Sequence, residues 1–245
     1  MEQQQRPGHL HPITQIIRDI TAIFAELGFS VARGPEIENE HHNFDALNIP
    51  SYHPARDMWD TFWLQPTAMK QLLRTHTSPV QVRYMETHTP PIRIIAPGKV
   101  FRHEATDATH EAQFHQIEGL MVGTDVSLAH LKWVLEIFFG KLFSRSVLVR
   151  MRPSFFPFVE PGVEIDMSCF KCGGTGCSLC KHTGWIEIMG AGMVHPKVLE
   201  AVGIDPTVYR GFAFGGGIDR LAMLLYGIDD VRLLYSGDLR LINQF

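Results

Sequence analysis

Polar side chains with evident chemical potential cluster in residues 98–120, GKVFRHEATDATHEAQFHQIEGL. If residues 99–104 and 114–121 are strands, alternation gives Arg102 and Glu104 one face of the first strand. Gln116 and Glu118 then share a face of the second strand. If the two strands pair so that both sets lie on one face of the sheet, a guanidinium lies beside two carboxylates and an amide. Such a group is suited to a zwitterionic ligand. The alternative is a solvated outer face with cross-strand ion pairs.

The four cysteines of the chain lie within twelve residues, CFKCGGTGCSLC, with C-x2-C-x4-C-x2-C spacing. Cys169, Cys172, Cys177 and Cys180 could converge as thiolates at about 2.3 Å from a tetrahedral Zn²⁺, with no coordination position left open. The spacing therefore indicates a structural metal site. An iron–sulfur centre and four reduced thiols remain as alternatives.

A glycine run and an aromatic run add two further candidate elements. Residues 215–217 are three glycines before a helical pattern, and they lack the Lys-Ser/Thr ending of a P-loop. They either bring the backbone close to a ligand or form a tight turn. Residues 155–158, FFPF, are an aromatic run, and such residues usually fill the core.

The elements that must position these groups follow from hydrophobic periodicity. The pattern predicts helices over residues 12–27, 66–76, 126–142 and 218–226. It predicts strands over residues 80–85, 92–96, 99–104, 114–121, 147–152, 163–167 and 185–189. Because several connections are too short for a helical crossover, we expect one α+β domain over residues 1–245, with a mainly antiparallel β-sheet flanked by helices and a small Cys-rich insertion at about 168–184.

Composition limits the classes of partner. The 245 residues carry a formal net charge of -4, so the chain as a whole has no electrostatic footprint for nucleic acid. The polar start and the lack of a ~20-residue apolar run argue against a signal peptide and against a membrane partner. We expect a cytoplasmic protein.

Five stretches together carry a family resemblance. FRHEATDATHEAQFHQIEG resembles motif 2 of class II aminoacyl-tRNA synthetases, GFAFGGGIDRLAML resembles motif 3, and GFSVARGPEIE resembles motif 1 around Pro35. With LLRTHTSPVQ and RPSFFPFVEP, residues 9–245 are similar to the alpha subunits of bacterial phenylalanyl-tRNA synthetases.

The resemblance implies a reaction and assigns residues to it. The expected activity is formation of phenylalanyl-adenylate from phenylalanine and ATP, followed by transfer of the phenylalanyl group to tRNA(Phe). Arg102 and Arg220 match the motif 2 and motif 3 arginines and are the implied catalytic residues, and together with Glu104 they are the implied ATP-binding residues. The implied phenylalanine-binding residues are His76, Ser78, Gln81, Glu104, Gln116, Glu118, Phe156, Phe158, Ala213 and Gly215.

The resemblance also implies cofactors and partners. Glu160 matches a carboxylate that binds Mg²⁺, although relatives commonly have serine where this chain has Gly162. The expected partners are tRNA(Phe) and a beta subunit in an α2β2 heterotetramer. The helical tRNA-binding arm that commonly precedes this domain is expected to be absent, which keeps open an enzyme that makes phenylalanyl-adenylate for another acceptor. A further hypothesis is a synthetase-like binding or regulatory protein that keeps the fold without aminoacylation.

Overall fold

Nine strands form two sheets in the computed structural model, which describes residues 8–52 and 61–245. The strands are β1 (Ser30–Val31), β2 (Ile37–Asn39), β3 (Gln71–Leu73), β4 (Ile92–Phe101), β5 (Gln113–Gly123), β6 (Val149–Phe156), β7 (Val159–Ser168), β8 (Trp185–Val194) and β9 (Arg210–Gly217). The large sheet has the order β1-β4-β5-β9-β8-β7-β6, and β2 pairs with β3. Within it only β1 and β4 are parallel, so the expected antiparallel α+β sheet is confirmed.

Helices cover both faces of this sheet. They are α1 (Pro12–Glu26), α2 (Glu40–Asn43), α3 (Ser78–Thr87), α4 (Leu128–Leu142), α5 (Pro196–Ala201), α6 (Ile218–Tyr226) and α7 (Leu239–Ile242), with 3-10 turns at Asp45–Leu47, Thr67–Met69 and Val231–Leu234. Helix α1 starts at a proline whose missing N–H costs nothing there, and the His11 ring accepts a hydrogen bond from the Ile13 N–H. A membrane-crossing helix would need a longer apolar run than any helix of the described residues provides.

Strand alternation divides the core into two layers. On one face, Ile95 and Ile117 pack with α1, α4 and α6; on the other, Ile94 and Leu120 pack with α3 and α5. The second face is the one that carries the cavity described below. The fold therefore uses one side of the sheet for stability and leaves part of the other side for a ligand.

Three sequence predictions were wrong in detail. Residues 80–85 lie in α3 rather than in a strand, because Pro79 begins a helix whose valines face the core. Residues 66–76 form a short 3-10 turn and β3 instead of a helix. Residues 92–96 and 99–101 form a single strand that stops before Arg102.

Strand β9 was not predicted. Its sequence, RGFAFGGG, has small residues on the cavity side and therefore lacks the usual apolar signal of a central strand.

Candidate active site

A cavity of about 290 Å³ opens on the α3 side of the sheet, over β5, β9 and β8. One end is polar and the other is aromatic and aliphatic, which is typical of a small-molecule site that fixes orientation through a few polar groups. The polar end is lined by His76, Ser78, Gln81, Arg102, Gln116 and Glu118. The apolar end is lined by Leu47, Met85, Leu120, Phe156, Phe158, Val194, Val198 and Ala213.

Strand register explains how distant residues meet here. Glu118 of β5 lies opposite Gly215 of β9, and Leu120 lies opposite Ala213. Side chains opposite each other in an antiparallel pair point to the same face, so the glycine leaves room for its neighbour. A Cβ at Gly215 would come within 2.6 Å of the Glu118 Cγ. The glycine at 215 is therefore required by the carboxylate as well as lining the cavity.

Glu118 is the most perturbed carboxylate of the cavity. It accepts hydrogen bonds from the Thr77 N–H at 3.2 Å, the Ser78 Oγ at 2.7 Å and the Gln81 Nε2 at 2.7 Å. Burial raises the pKa of Glu118 to about 7, although these hydrogen bonds and the charge of Arg102 act in the opposite direction. A cationic ligand beside this group would favour its ionised form.

Two neutral side chains lie next to Glu118. Burial and the charge of Arg102 lower the pKa of His76 to about 3, so the imidazole is uncharged at neutral pH. The Gln116 Oε1 atom is buried and has no hydrogen-bond partner within residues 8–52 and 61–245. An unsatisfied buried acceptor costs free energy, which a ligand with an N–H donor would recover.

Arg102 lies at the mouth of the hairpin that β4 and β5 form. Its Nε donates to the Thr75 carbonyl at 3.1 Å, its Nη1 lies 3.8 Å from the Glu104 carboxylate, and its guanidinium lies 5.2 Å from the Phe114 ring centroid. Burial lowers the pKa of Arg102 from its usual value. One edge of the guanidinium is thus anchored by backbone, and its charge can act on an anion in the cavity.

Sequence reasoning missed Arg74, which holds the base of the same hairpin. Its Nε donates to the Lys99 carbonyl at 2.7 Å, and its Nη1 donates to the Gly34 and Pro35 carbonyls at 3.2 Å each. A Cβ at Gly98 would come within 2.3 Å of the Arg74 Nη2, so a glycine is needed beneath it. No spacing in the sequence distinguishes this buried arginine from a surface one.

The apolar end carries two aromatic rings. Phe156 and Phe158 lie with ring centroids 6.0 Å apart at 22° to one another. The Phe156 ring covers Gly190, where a Cβ would approach within 2.9 Å. Ala213 lies on the sheet floor between these rings and Leu120. An aromatic ligand ring fits the flat, apolar walls of this end.

Besides the four cysteines, three predicted site residues lie outside the cavity lining. Glu104 contacts Arg102 at the mouth. Arg220 is exposed in the first turn of α6, directly after the glycine run, and its Nε donates to the Glu187 carbonyl at 3.2 Å. Glu160 lies in a neighbouring groove with its side chain 74% exposed and its Oε2 3.8 Å from the His195 Nε2.

A cluster of two arginines and two acidic residues lies on β6, β7 and β8, and it includes Glu187, whose carbonyl accepts from Arg220. Asp166 accepts hydrogen bonds from Arg150 at 2.6 Å and from Arg152 at 2.7 Å, and Arg152 also reaches Glu187 at 2.9 Å. Burial acts to raise the pKa of Asp166, but hydrogen bonds from both arginines hold it below its usual value. In the β6–β7 register Arg150 lies opposite Asp166 and Arg152 lies opposite Glu164, so this alternation could have revealed the network once the register was known.

The four cysteine sulfurs form a compact cluster in the loop between β7 and β8. Neighbouring Sγ atoms lie 3.7, 3.8 and 3.9 Å apart, and all four lie within 4.8 Å of one another. The edge of a tetrahedron with metal–sulfur bonds of about 2.3 Å is about 3.8 Å. Backbone N–H groups of Gly176 and Cys177 donate to the Cys172 and Cys180 sulfurs at 3.2 and 3.1 Å. The loop could therefore hold one tetrahedral metal ion.

The class of protein follows from the family that the whole chain matches. The family described as tRNA synthetases class II core domain (F) matches residues 1–245, and the chain belongs to this family. The resemblance inferred from the motifs is thereby confirmed. The pyrrolysyl-tRNA synthetase of Desulfitobacterium hafniense has the same fold, with a TM-score of 0.68 at 18% identity over 92% of this chain and 74% of that one.

Curated relatives narrow the class further. The chain is 56% identical over 242 residues to the phenylalanine–tRNA ligase alpha subunit of Desulfotalea psychrophila, covering 99% of this chain and 70% of the relative. It is 58% identical over 243 residues to the protein of that name from Dehalococcoides mccartyi, covering 97% and 70%. For Enterococcus faecalis the identity is 55% over 245 residues, covering 99% and 70%.

Proposed function

We propose that this chain activates L-phenylalanine with ATP and transfers the phenylalanyl group to tRNA(Phe), as the alpha subunit of a phenylalanine–tRNA ligase. The observation that carries the proposal is a single cavity with a buried carboxylate at one end and two phenylalanine rings at the other. An amino acid with an aromatic side chain matches both ends at once. The identity of 55–58% to the named relatives supports the same activity.

The first step joins two anions. A phenylalanine carboxylate oxygen bonds to the α-phosphorus of ATP while the bond from that phosphorus to the bridging oxygen breaks, and pyrophosphate leaves with the electron pair. Arg102, fixed by its hydrogen bond to Thr75, neutralises the charge that gathers on the α-phosphate. Arg220, beyond the glycine run, binds the outer phosphates.

The ammonium group of the substrate is held at the polar end. Glu118 supplies the ionic partner, and Gln116 supplies the unsatisfied acceptor. The ring then lies against Phe156 and Phe158, over Ala213. In the second step a tRNA hydroxyl attacks the carbonyl carbon of the adenylate, and AMP leaves.

Cofactors are proposed at two places. Glu160 is an exposed carboxylate that suits Mg²⁺ but supplies one ligand, so water or the beta subunit must complete the coordination. Because Glu160 lies outside the cavity, we assign this ion a role in charge neutralisation at a subunit contact. The sulfur spacing of the cysteine loop supports a structural Zn²⁺, since a polynuclear cluster would hold its cysteines further apart.

Pyrophosphate exchange into ATP tests the activity. We expect exchange that depends on L-phenylalanine, with tyrosine discriminated by only about 10²-fold because an apolar pocket rejects an added hydroxyl weakly. Charging of tRNA(Phe), measured with and without a beta subunit, then separates a complete ligase from an enzyme that serves another acceptor. Exchange that does not respond to phenylalanine would refute the proposal.

A further inference from the structure

The cysteine loop, residues 169–184, is built into the core of the domain. Cys169 and Cys180 are buried members of the main hydrophobic cluster. The Phe170 ring stacks on Phe143 with centroids 4.9 Å apart, and the Phe170 carbonyl accepts a hydrogen bond from the Arg145 Nη1 at 2.9 Å. These contacts therefore fix the position of the four thiols relative to the core of the domain.

Both ends of this loop continue the pairing of β7 with β8. The Cys169 N–H donates to the Gly184 carbonyl at 2.8 Å, one step beyond the last pair of the ladder, Ser168 with Trp185. The Gly184 N–H donates to the Cys180 sulfur at 3.3 Å. A metal ion bound by the thiols would thus hold the first residues of β8 in register.

Those first residues of β8 carry the acceptor for Arg220. The register shifts between Ile165 and Asp166, so β8 bulges at Ile188. The Glu187 carbonyl, next to the bulge, accepts the Arg220 Nε at 3.2 Å. Bulges are over-represented next to active sites, where they terminate pairing or re-aim a side chain.

The segment Trp185–Glu187 pairs with Asp166–Ser168 of β7, and its Ile186 side chain is buried in the core. Two side-chain contacts add to this. The Trp185 ring lies 4.4 Å from the Arg150 guanidinium, and the Glu187 carboxylate accepts from Arg152 at 2.9 Å. Both contacts are at least partly exposed, so each is a weak constraint alone. The loop adds a buried anchor at the start of the segment, one step beyond the last ladder pair.

We propose that a metal ion at the four thiolates positions Arg220 through the Trp185–Glu187 segment and so sets the affinity for ATP. This inference rests on the proposed function, which assigns Arg220 to the phosphates. The ammonium end of the cavity is built largely from α3 and β5, and the Glu118 partners come from α3 and from Thr77, the residue before it. Metal loss is therefore expected to act on ATP and to spare phenylalanine.

The test uses the full chain assembled with a beta subunit, in zinc-loaded and chelator-treated forms. Calorimetry gives the Kd of ATP and the Kd of phenylalanine separately, and mass spectrometry gives the metal content. We expect one zinc per chain, a roughly tenfold rise in the ATP Kd on removal, about 1.4 kcal/mol, and a phenylalanine Kd within twofold. Added Zn²⁺ restores the ATP affinity.

Three variants test whether the metal ion affects ATP binding through Arg220. Cys172→Ser removes a half-exposed ligand and should reproduce the metal-free ATP Kd, whereas Ser178→Ala, at an exposed position of the same loop, should change neither metal content nor affinity. Arg220→Ala should weaken ATP binding and also abolish the effect of metal removal, because both changes act through one contact.

Three results would overturn the inference: no bound metal, equal weakening of ATP and phenylalanine, or an effect of metal removal that persists in Arg220→Ala. The reversible removal of zinc from the unaltered chain keeps the test valid if Cys172→Ser does not fold. Absence of phenylalanine-dependent exchange in zinc-loaded protein that binds ATP would instead refute the proposed function. The ATP affinities would still decide the role of the metal.

Discussion

Glu118→Gln should make the folded chain more stable and should weaken its binding of phenylalanine. The carboxylate is buried and its pKa is raised to about 7 because of that burial. Between its ordinary pKa of 4.5 and about 7, the folded state holds a proton that the unfolded state has lost, so the free energy of unfolding falls as the pH rises through this window. A shift of this size corresponds to about 3 kcal/mol above pH 7.

The glutamine side chain removes this cost but also removes the ionic partner of the substrate. At pH 8 we expect Glu118→Gln to unfold with a free energy higher by ~1–3 kcal/mol, a rise of about 5 °C in Tm. At pH 4.5 the two proteins should be equally stable. The phenylalanine Kd at pH 8 should rise about 30- to 100-fold, the loss of ~2–3 kcal/mol expected for a hydrogen bond to a charged group.

The pH dependence of binding provides the matched measurement. For the unaltered chain, phenylalanine affinity should fall by up to about tenfold for each unit below pH 7, because binding requires the ionised carboxylate. The affinity of Glu118→Gln should be flat between pH 5 and 8, since His76, with a pKa of about 3, does not titrate there. Calorimetry across this range, with denaturant unfolding in parallel, checks both effects. A destabilised variant at pH 8, or an unchanged Kd, would refute the reasoning.

Three further predictions concern the cavity and the cysteine loop. Ala213→Gly should admit para-substituted phenylalanines, raising exchange with p-chlorophenylalanine about tenfold, and unchanged selectivity would count against the pocket assignment. Arg102→Lys loses the fork anchored on Thr75 and should lower exchange at least ~10²-fold with the phenylalanine Kd changed less than threefold; equal losses would show a binding role only. Chelation of the cysteine loop should lower Tm by at least about 5 °C, reversibly with Zn²⁺, and a constant Tm would exclude a structural metal.

Much of the fold was predictable because its elements have clear periodicity. Helix α1 and the antiparallel pairing of β4 with β5 follow from apolar spacing and short connections. Helix α3 was not predictable, since Val80 and Val82 favour strands locally and become helical only because both pack on the sheet. Strand β9 was missed because its cavity side has no large side chain.

The site was predictable where polar residues alternate along a strand. Alternation along the strand predicts that Gln116 and Glu118 share one face, and both line the cavity in the structure. The bond of Arg220 to the Glu187 carbonyl lies next to a bulge that no local pattern encodes. Glu164 and Asp166 both alternate along β7, and the sequence could not show that Asp166 is the buried one. Asp166 accepts hydrogen bonds from both Arg150 and Arg152.

A crystal structure with a non-hydrolysable phenylalanyl-adenylate tests the central claim most directly. The account predicts the ammonium group within hydrogen-bond distance of Glu118 and Gln116, the ring against Phe156 and Phe158, and the phosphate analogue on Arg102. An inverted ligand, with its ring at Glu118, or a ligand outside the cavity would contradict it.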